Sequence, residues 1–490
     1  MMRLGLLWIL AAIAGVVGAT MLYDALPGIN WSAWTLVAVA GLLVYRKPEP
    51  QTSRILALPL GFAAVLAAGA AVTTTPILVA AIALITASLM ALAVLLANEH
   101  ATDENYGPLE ILTAPFRALA RTLQGIVSAA LATVDSVGAV RQRPVVRGAL
   151  IATPVVLVLA LLFATADPVL ARGRDAIYDV LNAWTALPRV VFGLAVTIFV
   201  LGAYAATHLR ASLMLRQPAT PDRPLRIGLT ERRIVVYAAA AVSWLFVLLQ
   251  LGYLFGASPA VAGSGVTFAQ YAHRGFGELT IAATLSALLI IAANQNVRTR
   301  ADAAARRAVT WPALSLLAAV ACILVSAFHR ITLYENAYGY TTARIYVQAY
   351  LLLALAVLFV LTWHVARDFD VRRLARQVMT VALAALAFLV FWNGDAWVAQ
   401  ANLARYAETG KIDIPYLTQE LSLDAYPTLV QALPSVAEPE RSQLATALTH
   451  EYTTHDGLRR NARWYEWNLR RARARNFVVI SHPPNIPRPL

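Results

Sequence analysis

The residues able to do chemistry are gathered in three short stretches of an otherwise apolar chain. The first is Thr267–Glu278, TFAQYAHRGFGE, which supplies Gln270, Tyr271, His273, Arg274 and Glu278. The second is Phe328–Arg344, FHRITLYENAYGYTTAR, which supplies His329, Arg330, Tyr334, Glu335, Asn336, Tyr338 and Arg344. The third follows the last apolar run and contains Asn393, Asp395, Asn402 and Arg405. Histidines beside glutamates are the groups that general acid–base chemistry or a divalent cation would use. On a helix Arg274 and Glu278 stand four residues apart and share a face. However, the spacing matches no H-E-x-x-H or comparable ligand signature, and no P-loop, G-x-S-x-G or dinucleotide-type glycine motif occurs. No catalytic residue, metal or cofactor is therefore assigned. The three stretches are read as a candidate ligand-binding site or as a structural network in which Arg, Glu, Asn and Tyr neutralise one another at helix ends.

The elements that must position these residues follow from composition. Of 490 residues 59% are hydrophobic and only 14% charged, against roughly 25% charged in soluble domains. Mean hydropathy is +0.61. Such a chain needs lipid as its solvent, where apolar side chains require no burial. A span takes roughly 20 mostly apolar residues. Candidates lie at 4–22, 29–45, 55–72, 77–97, 148–166, 190–206, 234–255, 277–293, 309–328, 345–363 and 378–392. The runs are continuous rather than alternating, and lipid offers the backbone no partners, so helices are required and a barrel is disfavoured. The predicted fold is an all-α, polytopic transmembrane bundle of about eleven spans. The first run is read as a retained helix, because no A-x-A site follows it. The one cysteine, Cys322, allows neither a disulfide nor a cysteine metal site.

The net charge of +13 is explained by where the arginines lie. With the N-terminus inside, more than half of the 40 Lys and Arg residues fall at the N-terminus and in the inside connections. The outside connections hold Arg172, Arg174, Arg189, Arg274, Arg330 and Arg344. That asymmetry predicts this orientation and puts all three polar stretches on the extracytoplasmic face. Four regions are expected: an N-terminal four-helix membrane region (1–97), a cytoplasmic insert (98–147), a seven-span membrane domain (148–392) and a basic, helical tail (393–490), extracytoplasmic if 378–392 crosses. The insert carries Leu109, Leu112, Phe116, Leu119, Leu123, Ile126 and Ala130 on one helix face. It is read as an amphipathic helix, either lying in the interface or packed on the bundle. In the tail, helices are predicted over Leu423–Leu433, from Pro439 to about Tyr452, and from Gly457 to about Asn476. The last bears seven arginines with Trp464, Tyr465 and Trp467. Aromatic residues with arginine suit lipid headgroups, and on the outside face nucleic acid is disfavoured as a partner.

Four strings mix aromatic, charged and small residues at fixed spacing: TFAQYAHRGFGELT (267–280), RITLYENAYGYTTARIYVQAY (330–350), FWNGDAWVAQANLARY (391–406) and WYEWNLRRARAR (464–475). Through them the chain resembles, over roughly 150–475, a bacterial polytopic membrane family, domain of unknown function 4173. The resemblance implies a multi-pass protein of the bacterial plasma (inner) membrane and transfers no reaction. The spans contain no Asp, Lys or Arg, which argues against a proton-coupled pump or voltage sensor. The expected function is therefore a scaffold, sensor or accessory role, binding membrane lipids or other envelope or membrane proteins at the extracytoplasmic face. Two alternatives stay open. One is a transporter of a neutral or lipid-like solute. The other is a membrane-embedded enzyme acting on an amphiphile, with His273, His329, Glu278 and Glu335 converging.

Overall fold

The structure, a computed structural model, describes residues 3–98, 108–136, 187–209, 229–255, 276–294, 303–367, 369–455, 458 and 463–480. The predicted span 148–166 and most of Thr267–Glu278 lie outside the described residues, among which there is no strand. Eight described helices are long and apolar enough to cross a membrane, so the chain is an all-α, multi-pass helical membrane protein. Its residues divide into two compact units.

The first unit comprises Met1–Asn105, Leu109–Met214 and His455–Arg475. It begins with α1 (Leu4–Met21), α2 (Ile29–Arg46), α3 (Pro50–Gly69) and α4 (Pro76–Leu96). Pro50 and Pro76 open their helices, where a missing N–H costs nothing. A later helix, α6 (Leu187–Ala206), runs antiparallel to α1. The Tyr23 ring lies 5.7 Å from Phe192 at one end of this pair. Gly15 and Gly18 of α1 face Gly193, Val196 and Thr197 of α6, with no room for an added Cβ at Gly15. Lipid supplies no hydrophobic drive between helices, so small residues and close approach hold them. At the opposite end Arg46 Nε donates to Ala97 O (2.5 Å) and Asn98 Nδ2 to Leu209 O (2.8 Å).

Between α4 and α6 in the sequence lies α5 (Pro108–Ser136). Of the two predicted placements of this amphipathic helix, the structure shows packing on the bundle. Its small face, Ala114, Ala118, Thr122, Gly125 and Ala129, is buried, and Gly125 meets the backbone of Gly202 in α6. The large apolar residues point outward instead: Leu112 is 75% and Phe116 77% exposed. In water this arrangement would be inverted, but beside lipid the bulky face needs no protein cover.

The first unit is closed by residues from the far end of the chain. The Gly457–Asn476 helix predicted from sequence does not form as one piece. A 3₁₀ turn at Trp464–Glu466 precedes extended Trp467 and Asn468, and helix α15 (Leu469–Ile480) follows. The reason is local: Asn468 Oδ1 accepts from Arg470 N and Arg471 N (both 3.1 Å), capping α15, and Glu466 Oε2 accepts from Arg463 N (3.1 Å). The same segment clasps both hairpin connections at one end of the helices. Asn468 Nδ2 donates to Ala70 O (2.9 Å) and Thr73 O (3.0 Å), and Leu469 N to Ala71 O (2.8 Å). Arg471 Nη2 donates to Pro27 O (2.8 Å), and Ile29 N to Trp467 O (3.1 Å). Gly28 makes the approach possible: a Cβ there would lie 2.6 Å from Glu466 C and Trp467 O.

The second unit centres on Leu215–Thr454. Its long helices are α7 (Leu229–Phe255), α8 (Phe276–Asn294), α9 (Ala303–Tyr338), α10 (Thr342–Ala366) and α11 (Val371–Phe391). They bury one another through Val236, Ile290, Leu316, Leu324, Leu351 and Leu361. α9 has 36 residues, a rise of about 54 Å, well beyond a hydrocarbon core of roughly 30 Å. It is longer than one crossing requires. α11 begins earlier than the predicted 378. Asp370 caps it, accepting from Arg372 N (2.9 Å) and Arg373 N (3.2 Å), so the charged first turn is helical.

Burial alone would raise the Asp370 carboxyl. The Arg373 and Arg372 N–H groups and the Arg373 and Arg376 charges together outweigh it and hold the group below its ordinary range. A carboxylate depressed in the folded state stabilises fully above its unfolded value of about 3.9, and that contribution is lost as pH falls through the folded value. Asp370→Ala should cost about 1 kcal/mol at neutral pH, whereas Asp370→Asn should keep the cap and lose its acid dependence. Unfolding midpoints measured from pH 3 to 7 check both.

Candidate functional site

Two of the polar stretches, Phe328–Arg344 and the one that begins at Asn393, meet at one end of the second unit. α9 ends, α10 begins and α11 ends there, and α12 (Gly394–Thr409), a π-helical turn at Tyr416–Glu420, α13 (Tyr426–Ala432) and α14 (Glu440–Thr454) follow. The other end carries Arg367, Arg372, Arg373 and Arg376 around the α10–α11 connection. There His364 Nε2 and Gln377 Oε1 are 2.8 Å apart, and Arg232 of α7 donates to Ala293 O of α8 (3.2 Å).

The turn between α9 and α10 is built on Gly339, at φ +88°, a left-handed conformation that favours glycine. A Cβ there would also come 2.8 Å from Asn402 Oδ1. Asn402 reads both sides of the next peptide: Tyr340 N donates to its Oδ1 (3.0 Å), and its Nδ2 donates to Tyr340 O (2.8 Å). Arg405 Nη2 donates to Ala337 O (2.8 Å). Arg344 Nη1 donates to Gly339 O, and its guanidinium lies 4.3 Å from the Tyr334 ring centroid. Tyr334 packs on Tyr338 at 4.8 Å, and Tyr340 donates to Asn336 Oδ1 (3.3 Å).

Two buried carboxylates anchor the cap. Glu335, 1% exposed, accepts at Oε2 from Gln348 Nε2 (2.6 Å), while Oε1 is buried without a hydrogen-bond partner among the described residues. Asp395, 3% exposed, accepts from Thr342 Oγ1 (3.2 Å), Ser422 Oγ (2.5 Å) and Ser422 N (3.1 Å). Tyr416 OH accepts from Thr342 N (2.8 Å). Asn393 caps α12 through Ala396 N (3.2 Å) and donates to Asp424 O (3.1 Å).

Of the sequence candidates, the structure brings together Tyr334, Glu335, Asn336, Tyr338, Arg344, Asn393 and Asp395, with Asn402 and Arg405. His329 is exposed on α9 and Arg330 half-buried beside it. Tyr271, His273, Arg274 and the Glu278 side chain lie outside the described residues. Among those described, no group of His, Cys, Asp and Glu fit to hold a metal occurs. Sequence reasoning missed Thr342, Gln348, Tyr416 and Ser422. Gln348 sits two turns into an apolar helix, and Tyr416 and Ser422 lie just ahead of the helix predicted over Leu423–Leu433, in a stretch with no other signal.

No curated protein and no solved structure matches the chain. A family does, over residues 60–432. It corrects the number suggested by the resemblance, 4173. The match also starts earlier in the chain, at α3, and stops before the 464–475 string. It takes in the whole polar cap up to Asp424 and α13, and it extends over well more than half of the sequence, so the chain belongs to the family described as a domain of unknown function, DUF4153.

Proposed function

We propose that this integral membrane protein is a non-enzymatic scaffold, sensor or accessory protein of the bacterial plasma membrane. Its polar cap faces outward and binds a partner protein or lipid headgroup. The carrying observation is the way the cap's functional groups are used. Asp395, Asn402, Arg405 and Arg344 bind backbone and side chains of neighbouring segments rather than converging on an open centre. Around that network stand exposed Leu333, Tyr338, Trp397 and Phe391. Aromatic residues of this kind favour membrane interfaces and protein contacts.

Orientation and binding are tested separately. In a Cys322→Ala background, a cysteine in place of Ser435 should react with an impermeant maleimide on intact spheroplasts. One in place of Arg372 should react only after permeabilisation. Reversed labelling overturns the outward cap. Affinity purification from cross-linked membranes should then recover a stoichiometric protein or an enriched lipid with the wild type, reduced when Tyr338 and Trp397 are replaced by alanine. Recovery of neither from the wild type overturns the binding role.

A second reading, a carrier of a lipid-like solute, is favoured by one observation. The first unit holds an apolar cavity of about 630 Å³ between α2, α4, α5 and α6.

A further inference from the structure

That cavity is shaped by helix geometry. α2 contributes Trp31, Trp34, Thr35, Ala38 and Leu42, and α4 contributes residues from Ala83 to Val94. Each set follows one helix face over twelve residues, a rise of about 16 Å from first to last. The space is therefore a slot running along the helices through much of the hydrocarbon thickness. Its volume lies within the roughly 300–1,000 Å³ range of small-molecule sites. The lining contains no charged side chain, and its polar side-chain groups are the indoles of Trp31 and Trp34 and a few hydroxyls. The hydroxyls of Ser88 and Tyr204 are already bound, to Leu84 O (2.8 Å) and Ala38 O (2.7 Å). Alanines at 83, 87, 91 and 203 keep the walls apart.

The slot opens sideways. Leu84 of α4, Leu119 of α5 and Phe199 of α6 line it and are 69%, 50% and 49% exposed. Leu84 and Phe199 lie inside helices that cross the membrane, so the opening faces hydrocarbon rather than water. The material available there is the acyl chain of a membrane lipid. An empty slot would forgo the dispersion contacts of its walls, and an alkyl chain restores them without burying a polar group.

We propose that this slot is a binding site for one acyl chain of a membrane phospholipid, held along α2 and α4 and entered between α4, α5 and α6. The site lies in the first unit and does not depend on the role of the cap. Pro115, Ala118 and Thr122 of α5 line it too, so this helix forms its side wall.

The test uses the full chain purified in mild detergent. Native mass spectrometry should show one retained phospholipid per chain in the wild type. Ala87→Phe and Ala203→Phe, which fill the slot from two helices, should reduce that adduct at least fivefold. Ile77→Phe, exposed on α4 away from the slot, should leave it unchanged. A phospholipid with a diazirine on its acyl chain should label the peptide around Thr86–Met90 in the wild type and not in the filled variants. If a filled variant fails to fold, the labelling position in the wild type still decides. No retained lipid, equal retention in filled variants that fold, labelling of the wild type away from Thr86–Met90, or stronger labelling there by a diazirine isoprenoid than by the phospholipid would each overturn the assignment.

Discussion

Asn468→Ala is expected to lower the unfolding midpoint of the purified chain by several degrees and to expose the residues after Arg463 to protease. Asn468 is 2% exposed and uses both ends of its amide. Two hairpin carbonyls, Ala70 O and Thr73 O, lose a donor, and the N–H groups of Arg470 and Arg471 lose an acceptor. A buried group left without its partner costs about 1–3 kcal/mol, so a loss on the order of 3 kcal/mol follows even after some of the four recover other partners. Asn468→Asp separates the two halves of the interaction. It keeps the acceptor for α15 but turns a carboxylate on two carbonyl oxygens, and it should be no better than alanine. Gly28→Val should reproduce the effect from the other side. Gly28 is extended at φ −170°, so its backbone suits any residue. What it lacks is space, because a Cβ would meet backbone atoms of Glu466 and Trp467. Thermal melts with tail proteolysis are the measurement. Midpoints and cleavage rates equal to wild type in both variants would show that the clasp is not formed.

Asp395→Ala should have a comparable effect in the second unit. One carboxylate ties the start of α10, through Thr342, to the segment before α13, through Ser422. Hydrogen bonds to a charged group contribute roughly 1.5–3 kcal/mol each. They are not additive here, because two of the three come from one residue. A loss of about 3 kcal/mol is the expected outcome. Asp395→Asn should be intermediate, since one oxygen survives while the new N–H₂ opposes a donor. The 411–424 stretch should become the preferred site of cleavage, because Ser422 loses its anchor there while Tyr416 keeps its bond to Thr342. A variant that leaves both the midpoint and this cleavage pattern unchanged would remove Asp395 from the scaffold. The cap would then need another explanation for a buried acid.

The two sites differ in how far local sequence reached them. In the cap, Glu335, Arg344, Asn393 and Asp395 were legible because polar residues at the ends of apolar runs are conspicuous. Their partners were not. Thr342, Gln348 and Ser422 are ordinary in composition, and only packing of three helix ends makes them contacts. In the clasp, the arginine- and tryptophan-rich string predicts one continuous helix, whereas Glu466 and Asn468 stop one element and start another. Asn468 and Ala70 are 398 positions apart, a distance across which no periodicity carries information.

α5 shows the same limit in another form. The spacing of Leu112, Phe116, Leu119 and Leu123 identified an amphipathic helix, yet the stripe faces away from the bundle and the small residues face in. Periodicity finds a face but does not say which solvent that face meets. In lipid the usual rule is reversed, because close backbone approach gains more than burying a leucine already at home in hydrocarbon.

Composition and run length alone determined that this chain is helical and threads a membrane, because a backbone in hydrocarbon must satisfy its own hydrogen bonds. They also determined where its charged connections fall. Tertiary structure decided that the chain forms two units, that the 463–475 segment returns to the first helices, that two polar stretches far apart in sequence share one hydrogen-bonded cap, and that a slot remains between α2 and α4. Those outcomes depend on which small residues allow backbones to touch and on which distant carbonyls lack a donor, and neither quantity is a local property of the sequence.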